Sequence, residues 1–152
     1  MMALQEQLVA DMKAALRAQD PVRLGTIRLL RAALQNAEKA LGQPLGEAAA
    51  AEVVRREIKR RQEAIEAYRR GGREDLVAQE EAELEVLQAY QAEPLSEAEL
   101  TALARQVIQA EGATSRKDLG RVMKALMPRV QGRADGKLVN TIVGALLENA
   151  GD

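Results

Sequence analysis

Residues 47–91 read EAAAAEVVRREIKRRQEAIEAYRRGGREDLVAQEEAELEVLQAYQ, and this stretch decides the fold. Val54, Ile58, Ile65 and Tyr68 recur at the spacing of one helical face, which predicts a long helix from about Glu47 to Arg70. Gly71-Gly72 ends it, because glycine closes a helix in the left-handed conformation without a Cβ clash. A second helix is predicted from about Glu74 to Gln91, carrying Leu76, Val77, Leu84 and Leu87. So short a glycine link between two long helices predicts an antiparallel hairpin.

Working toward the N-terminus, Leu4, Leu8, Met12 and Leu16 repeat every four residues and predict an amphipathic helix ending before Gln19-Asp20. Asp20-Pro21 is a start signal, an N-cap carboxylate followed by proline at the first helical position. The helix it opens turns Leu24, Ile27, Leu30, Leu34 and Leu41 inward and stops at Gly42-Gln43-Pro44. Toward the C-terminus, Glu93-Pro94-Leu95 is the best domain boundary, and beyond it helices shorten and glycine turns multiply. Ser96 to Glu99 forms a capping box for a helix ending at Glu111-Gly112. Ser115 to Asp118 repeats the cap and opens a shorter helix stopped by Met127-Pro128. After the turn Gln131 to Gly136, a last helix runs from about Lys137 to Asn149. The expected architecture is all-α: an N-terminal helical domain over residues 1–93 with a long antiparallel hairpin, and a small C-terminal three-helix domain over residues 94–152.

Composition narrows the chemistry. The 152 residues carry 22 Lys plus Arg against 23 Asp plus Glu, a net charge of −1. The chain has no His, Cys, Trp or Phe, and its aromatics are Tyr68 and Tyr90. Thiol and imidazole nucleophiles, bases and zinc ligands are therefore excluded, and so are disulfides. No metal and no cofactor is expected. No apolar run approaches the roughly 18 residues of a membrane span. Met1 to Met12 alternates polar and apolar residues with no basic leader, so the expectation is a cytoplasmic protein with no membrane partner.

Two basic clusters stand out. Arg55, Arg56, Lys59, Arg60, Arg61, Arg69, Arg70 and Arg73 face only Glu57, Glu63 and Glu66 locally, a net of +5. The following helix is acidic, with Glu74, Asp75, Glu80, Glu81, Glu83 and Glu85, so ion pairing across the hairpin is the favoured reading over phosphate binding. The second cluster is Arg116, Lys117, Arg121, Lys124, Arg129, Arg133 and Lys137, opposed by Asp118 and Asp135, again +5. At 100° per residue, Lys117, Arg121 and Lys124 fall within about 60° of one another, opposite Leu119, Val122, Met123 and Leu126. Arg133 and Lys137 flank the start of the last helix, where free N–H groups also favour an anion. The turn Gly132 to Leu138 is one residue too short for a phosphate loop and has Leu138 where Ser or Thr must meet the metal. Its Asp135 reads as a helix cap, and Ser96 and Ser115 read as caps rather than nucleophiles. Gly144 falls in the last helix on the polar side, open either to close approach by a partner backbone or to simple tolerance.

Lys117-Asp118-Leu119-Gly120-Arg121-Val122-Met123, Leu126-Met127-Pro128 and Gly132 to Asn140 resemble the C-terminal signature of the YqeY-like family. Arg23-Leu24 with Ile27-Arg28, Gly72 to Leu76, and Glu83 to Tyr90 followed by Leu95-Ser96-Glu97 are similar to it as well, so the resemblance covers about residues 4 to 148. The family usually reads Tyr-Leu-Pro before its second domain, whereas here Tyr90 precedes Gln91-Ala92-Glu93-Pro94. The family is related to the tail domain of the tRNA-dependent amidotransferase B subunit (GatB), which reaches the body of the tRNA while catalysis occurs elsewhere. The resemblance thus implies a non-catalytic tRNA-binding module, an accessory to glutamine-dependent tRNA amidation, with contacts at Lys117, Arg121, Lys124, Arg133 and Lys137; the charge cluster adds Arg129. Amidotransferase or aminoacyl-tRNA synthetase components are the further partners it implies. Such chains also attract the label of carbon–nitrogen ligase with glutamine as amido donor, but no residue here resembles that catalytic region. The alternative is a helical protein–protein adaptor without RNA binding.

Overall fold

The computed structural model describes residues 3–150. Among them are seven α-helices and one 3₁₀ turn, and no strand: α1 (Leu4–Arg17), α2 (Pro21–Leu41), α3 (Glu47–Arg70), α4 (Glu74–Gln88), α5 (Glu97–Glu111), the turn η1 (Arg116–Asp118), α6 (Leu119–Val130) and α7 (Gly136–Ala150). The chain divides into two compact units, Met1–Ala92 and Glu93–Asp152.

In the first unit, the Asp20 carboxylate accepts from the Arg23 N–H at 3.1 Å and Pro21 opens α2, which ends at Gly42 in the left-handed conformation (φ 79°). The core joins Leu8 of α1, Ile27, Leu30 and Leu34 of α2, Ala50, Val54 and Ile58 of α3, and Leu87 of α4. Full burial of each large aliphatic side chain contributes roughly 1.5–3 kcal/mol, which is what holds four helices of otherwise polar composition together. Leu16 and Leu41, expected inward, are 60% and 53% exposed. A four-residue repeat drifts about 40° per step, so Leu16 stands about 80° round α1 from the buried Leu8 while Ala15 in the same turn is buried; Leu41 is the last residue of α2. The helix after Gly72 also stops earlier than expected, at Gln88, and residues 89–90 form a turn.

The second unit packs Leu100, Ala104 and Val107 of α5 against Val122, Leu126 and Val130 of α6 and Val139, Val143 and Leu147 of α7. The capping box at Ser96 and Glu99 is formed. Pro128 does not stop α6: it lies inside the helix, which runs on to Val130. Proline removes one N–H from the ladder, and this close to the C-terminus the helix loses a single bond, while buried Val130 anchors the last turn.

Candidate nucleic-acid interface

The corner between α5 and α6 is built by local capping. The Ser115 hydroxyl accepts from the Lys117 N–H at 3.4 Å, and the Asp118 carboxylate accepts from the N–H groups of Thr114 and Ser115 at 2.9 and 3.4 Å. The Thr114 N–H foremost, with the Ser115 N–H and the Arg121 guanidinium, holds the Asp118 carboxyl below its ordinary value against the desolvation that burial imposes. On α6, Arg121 and Lys124 are exposed and lie about 60° apart on the side away from Val122, Leu126 and Val130. Lys117 is exposed in η1, so the α-helical angle that groups it with them in sequence does not apply across the turn. Arg129 is exposed about 140° round the helix from Lys124, on a different face.

The remaining cations differ in what they touch. Arg121 donates to the Glu111 carbonyl at 2.7 Å and pairs with Asp118 at 3.2 Å, tying the end of α5 to the start of α6 while half its side chain stays in solvent. Arg133 is half-buried and donates to the Glu93 carbonyl at 2.8 Å. The Asp135 carboxylate accepts from the Lys137 N–H at 2.8 Å, so the anion position at the start of α7 is filled by the chain's own side chain. Arg116 pairs with Glu148 at 2.7 Å, and its guanidinium lies where a Cβ on Gly144 would point, 3.5–3.6 Å away. Gly144 is therefore buried beneath an arginine, not set on an open polar side. Among the described residues, the side chains of Lys117, Lys124, Arg129 and Lys137 have no ion pair or hydrogen bond.

The basic run on α3 contrasts with this. Arg61 bridges Glu80 at 3.0 Å and Glu83 across to α4, and Arg69 pairs with Glu81. Arg55 and Arg56 pair with Glu52, and Arg60 with Glu57.

Two features of the first unit had no sequence signal. The Tyr90 hydroxyl donates to Asp11 at 2.6 Å, and burial foremost, then the Asp11 carboxylate, push its pKa up to about 12 against the Arg23 guanidinium. A cleft of about 620 Å³ opens between the starts of α1 and α3 and the end of α4, lined by Leu4, Gln7, Leu45, Gly46, Ala50 and Tyr90 among others. Among the described residues no group of three acidic, His or Cys side chains could hold a metal, and no helix is long and apolar enough to cross a membrane.

Residues 5–147 match the family described as Yqey-like protein. The chain belongs to the YqeY-like family. A relative named "Altered inheritance of mitochondria protein 41, mitochondrial", from Pyrenophora tritici-repentis, is 33% identical over 91% of this chain and 80% of its own length. Proteins of the same name from Eremothecium gossypii and Lachancea thermotolerans are 35% and 38% identical over 60% and 62% of this chain. Those two matches span about half of each relative, 51% and 52%. The relatives are named as mitochondrial proteins, which overturns the cytoplasmic expectation. Composition and patterning excluded disulfides and a membrane span, and neither property distinguishes one aqueous compartment from another.

Proposed function

We propose that this YqeY-like chain is a non-catalytic module that holds folded RNA, tRNA by family resemblance, on its C-terminal unit, as an accessory to glutamine-dependent tRNA amidation. The observation that carries the reading is the exposed Lys117 of η1 and Lys124 of α6, which have no carboxylate partner among the described residues, together with the half-exposed Arg121. Phosphates attract such cations, whereas the paired arginines of α3 must first lose their glutamates. With two tyrosines in the whole chain, base stacking contributes little, and recognition is of backbone and shape. Arg121 acts both as a phosphate donor and as the strut that fixes the corner.

Fluorescence anisotropy with total tRNA at several salt concentrations tests this. Each phosphate contact lowers the log K against log salt slope by about 0.7–0.9, so Lys117, Arg121 and Lys124 together predict a slope of roughly −2 to −3. Lys117→Gln/Lys124→Gln should flatten it by about 1.4–1.8, while Arg56→Gln/Arg60→Gln on α3 leaves it unchanged. Absence of binding at low salt, or an unchanged slope in the Lys117/Lys124 variant, overturns the reading.

A further inference from the structure

α2 has two apolar faces and the first unit covers one of them. Ile27, Leu30 and Leu34 are buried, yet Val22 and Leu29 stand 46% and 55% exposed on the same helix. At 100° per residue, Val22, Gly25, Leu29, Ala32, Asn36 and Ala40 fall within about 80° of arc, centred about 140° round from the buried leucines. The arc carries no charge and runs about 27 Å at 1.5 Å per residue. Gly25 leaves a gap between Val22 and Leu29, where an added Cβ would meet nothing within 4 Å, and beyond Leu29 the arc continues over Ala32, Asn36 and Ala40. Along one edge, within about 40°, stand Arg28 and Lys39, both exposed and with no side-chain partner among the described residues.

An exposed, charge-free helical stripe of this length is the surface a second helix covers, since small residues let two backbones approach closely and ridges enter the gaps between larger side chains. We infer that the outward face of α2 docks an amphipathic helix of a partner protein whose apolar stripe is edged with Asp and Glu. The unpaired Arg28 and Lys39 set the sign of that edge. A second copy fits poorly, because the α2 helix carries Arg23, Arg28, Arg31 and Lys39 against Glu38 and self-pairing would set like charges together. RNA offers phosphates but no apolar surface for Val22, Leu29, Ala32 and Ala40, which span about 27 Å at the helical rise per residue. Two large apolar side chains are too few to hold a helix in a lipid interface. The surface belongs to the first unit and the α6 corner to the second, so it does not rest on the tRNA reading, and it makes the chain a link between an RNA and a protein.

Photo-crosslinking of the full chain in living cells tests this, with benzoylphenylalanine in place of Leu29 and, as a control, in place of the exposed Leu138 of α7. The expected product is a protease-sensitive adduct at position 29, absent at 138, whose cross-linked segment has apolar residues at helical spacing beside acidic ones. A synthetic peptide of that segment should bind the purified chain and lose roughly tenfold in affinity with Arg28→Glu/Lys39→Glu, about 1.4 kcal/mol. Because neither residue has a side-chain partner among the described residues, this variant should stay folded, with only the small loss that a carboxylate in the last turn of α2 brings. No adduct above the Leu138 control, an adduct with RNA, lipid or a second copy, or a peptide indifferent to the charge reversal overturns the inference.

Discussion

The basic run on α3 and the basic run around α6 each carry a local excess of five positive charges in sequence, yet the two reach different ends. On α3 the hairpin turn brings an acidic helix alongside, and Arg61 settles between Glu80 and Glu83 with only 16% of its side chain exposed. Around α6, Arg121 meets the Glu111 carbonyl of α5 and its own near neighbour Asp118, and Arg116 meets Glu148 of α7. Lys117 and Lys124 are left to solvent. A charge run therefore says little about function until the charge of the helix packed against it is known. One run is part of the fold, and the other is available to a ligand.

The sharpest way to break that contrast is to remove one cation from each run. Arg61→Ala leaves two mostly buried glutamates side by side with no counter-ion, and the first unit should lose about 2–3 kcal/mol. Tyr68 and Tyr90 both lie in that unit and the chain has no Trp, so tyrosine fluorescence during urea unfolding reports on it alone. Lys124→Gln should change stability by less than about 0.5 kcal/mol, followed by circular dichroism of the whole chain. A neutral Arg61→Ala, or a costly Lys124→Gln, would mean that the two runs had been assigned the wrong way round.

How much of this was legible depended on whether the signal was local. The start of α2 at Asp20-Pro21, the cap at Ser96 and Glu99 and the glycine break at Gly71-Gly72 are written within a few residues of where they act, and all of them form. The rule that makes proline a stop assumes a helix interior, whereas Pro128 sits near an end of α6 that buried Val130 anchors. Leu16 shows the limit of reading a four-residue repeat as one face, since the repeat drifts round the helix and leaves Leu16 in solvent beside the buried Ala15. The cationic corner was legible as residue types. The attachment of Arg121 to the Glu111 carbonyl and of Arg133 to the Glu93 carbonyl was not, because every residue carries a carbonyl and none marks itself as an acceptor. Arg116 over Gly144 is a contact between residues 28 positions apart, visible only once α7 folds back.

Alkaline pH extends the comparison, since both phenols belong to the first unit. The Tyr90 pKa is raised from 10.0 to about 12 in the folded chain, first by burial and then by Asp11. A raised pKa contributes stability that is complete below the unfolded value and is lost as pH climbs from 10 toward 12. Phenolate absorbance of a Tyr68→Phe variant, in which Tyr90 is the single phenol, should therefore titrate near the upper value and fall to the ordinary one in urea. Tyr90→Phe should remove the alkaline loss of stability. A folded-state titration at the ordinary value would mean the Asp11 contact does not form in solution.

Acid should act on the cationic corner, with a smaller effect because the Asp118 carboxylate is only partly buried and the Arg121 it pairs with is half in solvent. Its lowered pKa means the stabilisation is present above the ordinary carboxylate value and disappears as pH falls through the folded one. The Thr114 and Ser115 amide resonances should shift together over that acid range, as the acceptor of both N–H groups becomes protonated. Asp118→Asn keeps an oxygen in place for those N–H groups but removes the charge that Arg121 pairs with, so it should abolish the acid step. If the corner orients Lys117 and Lys124 as proposed, tRNA affinity of Asp118→Asn should fall with the salt slope intact, because no phosphate contact has been removed. A flattened slope would instead show that the corner had come apart and taken its lysines with it.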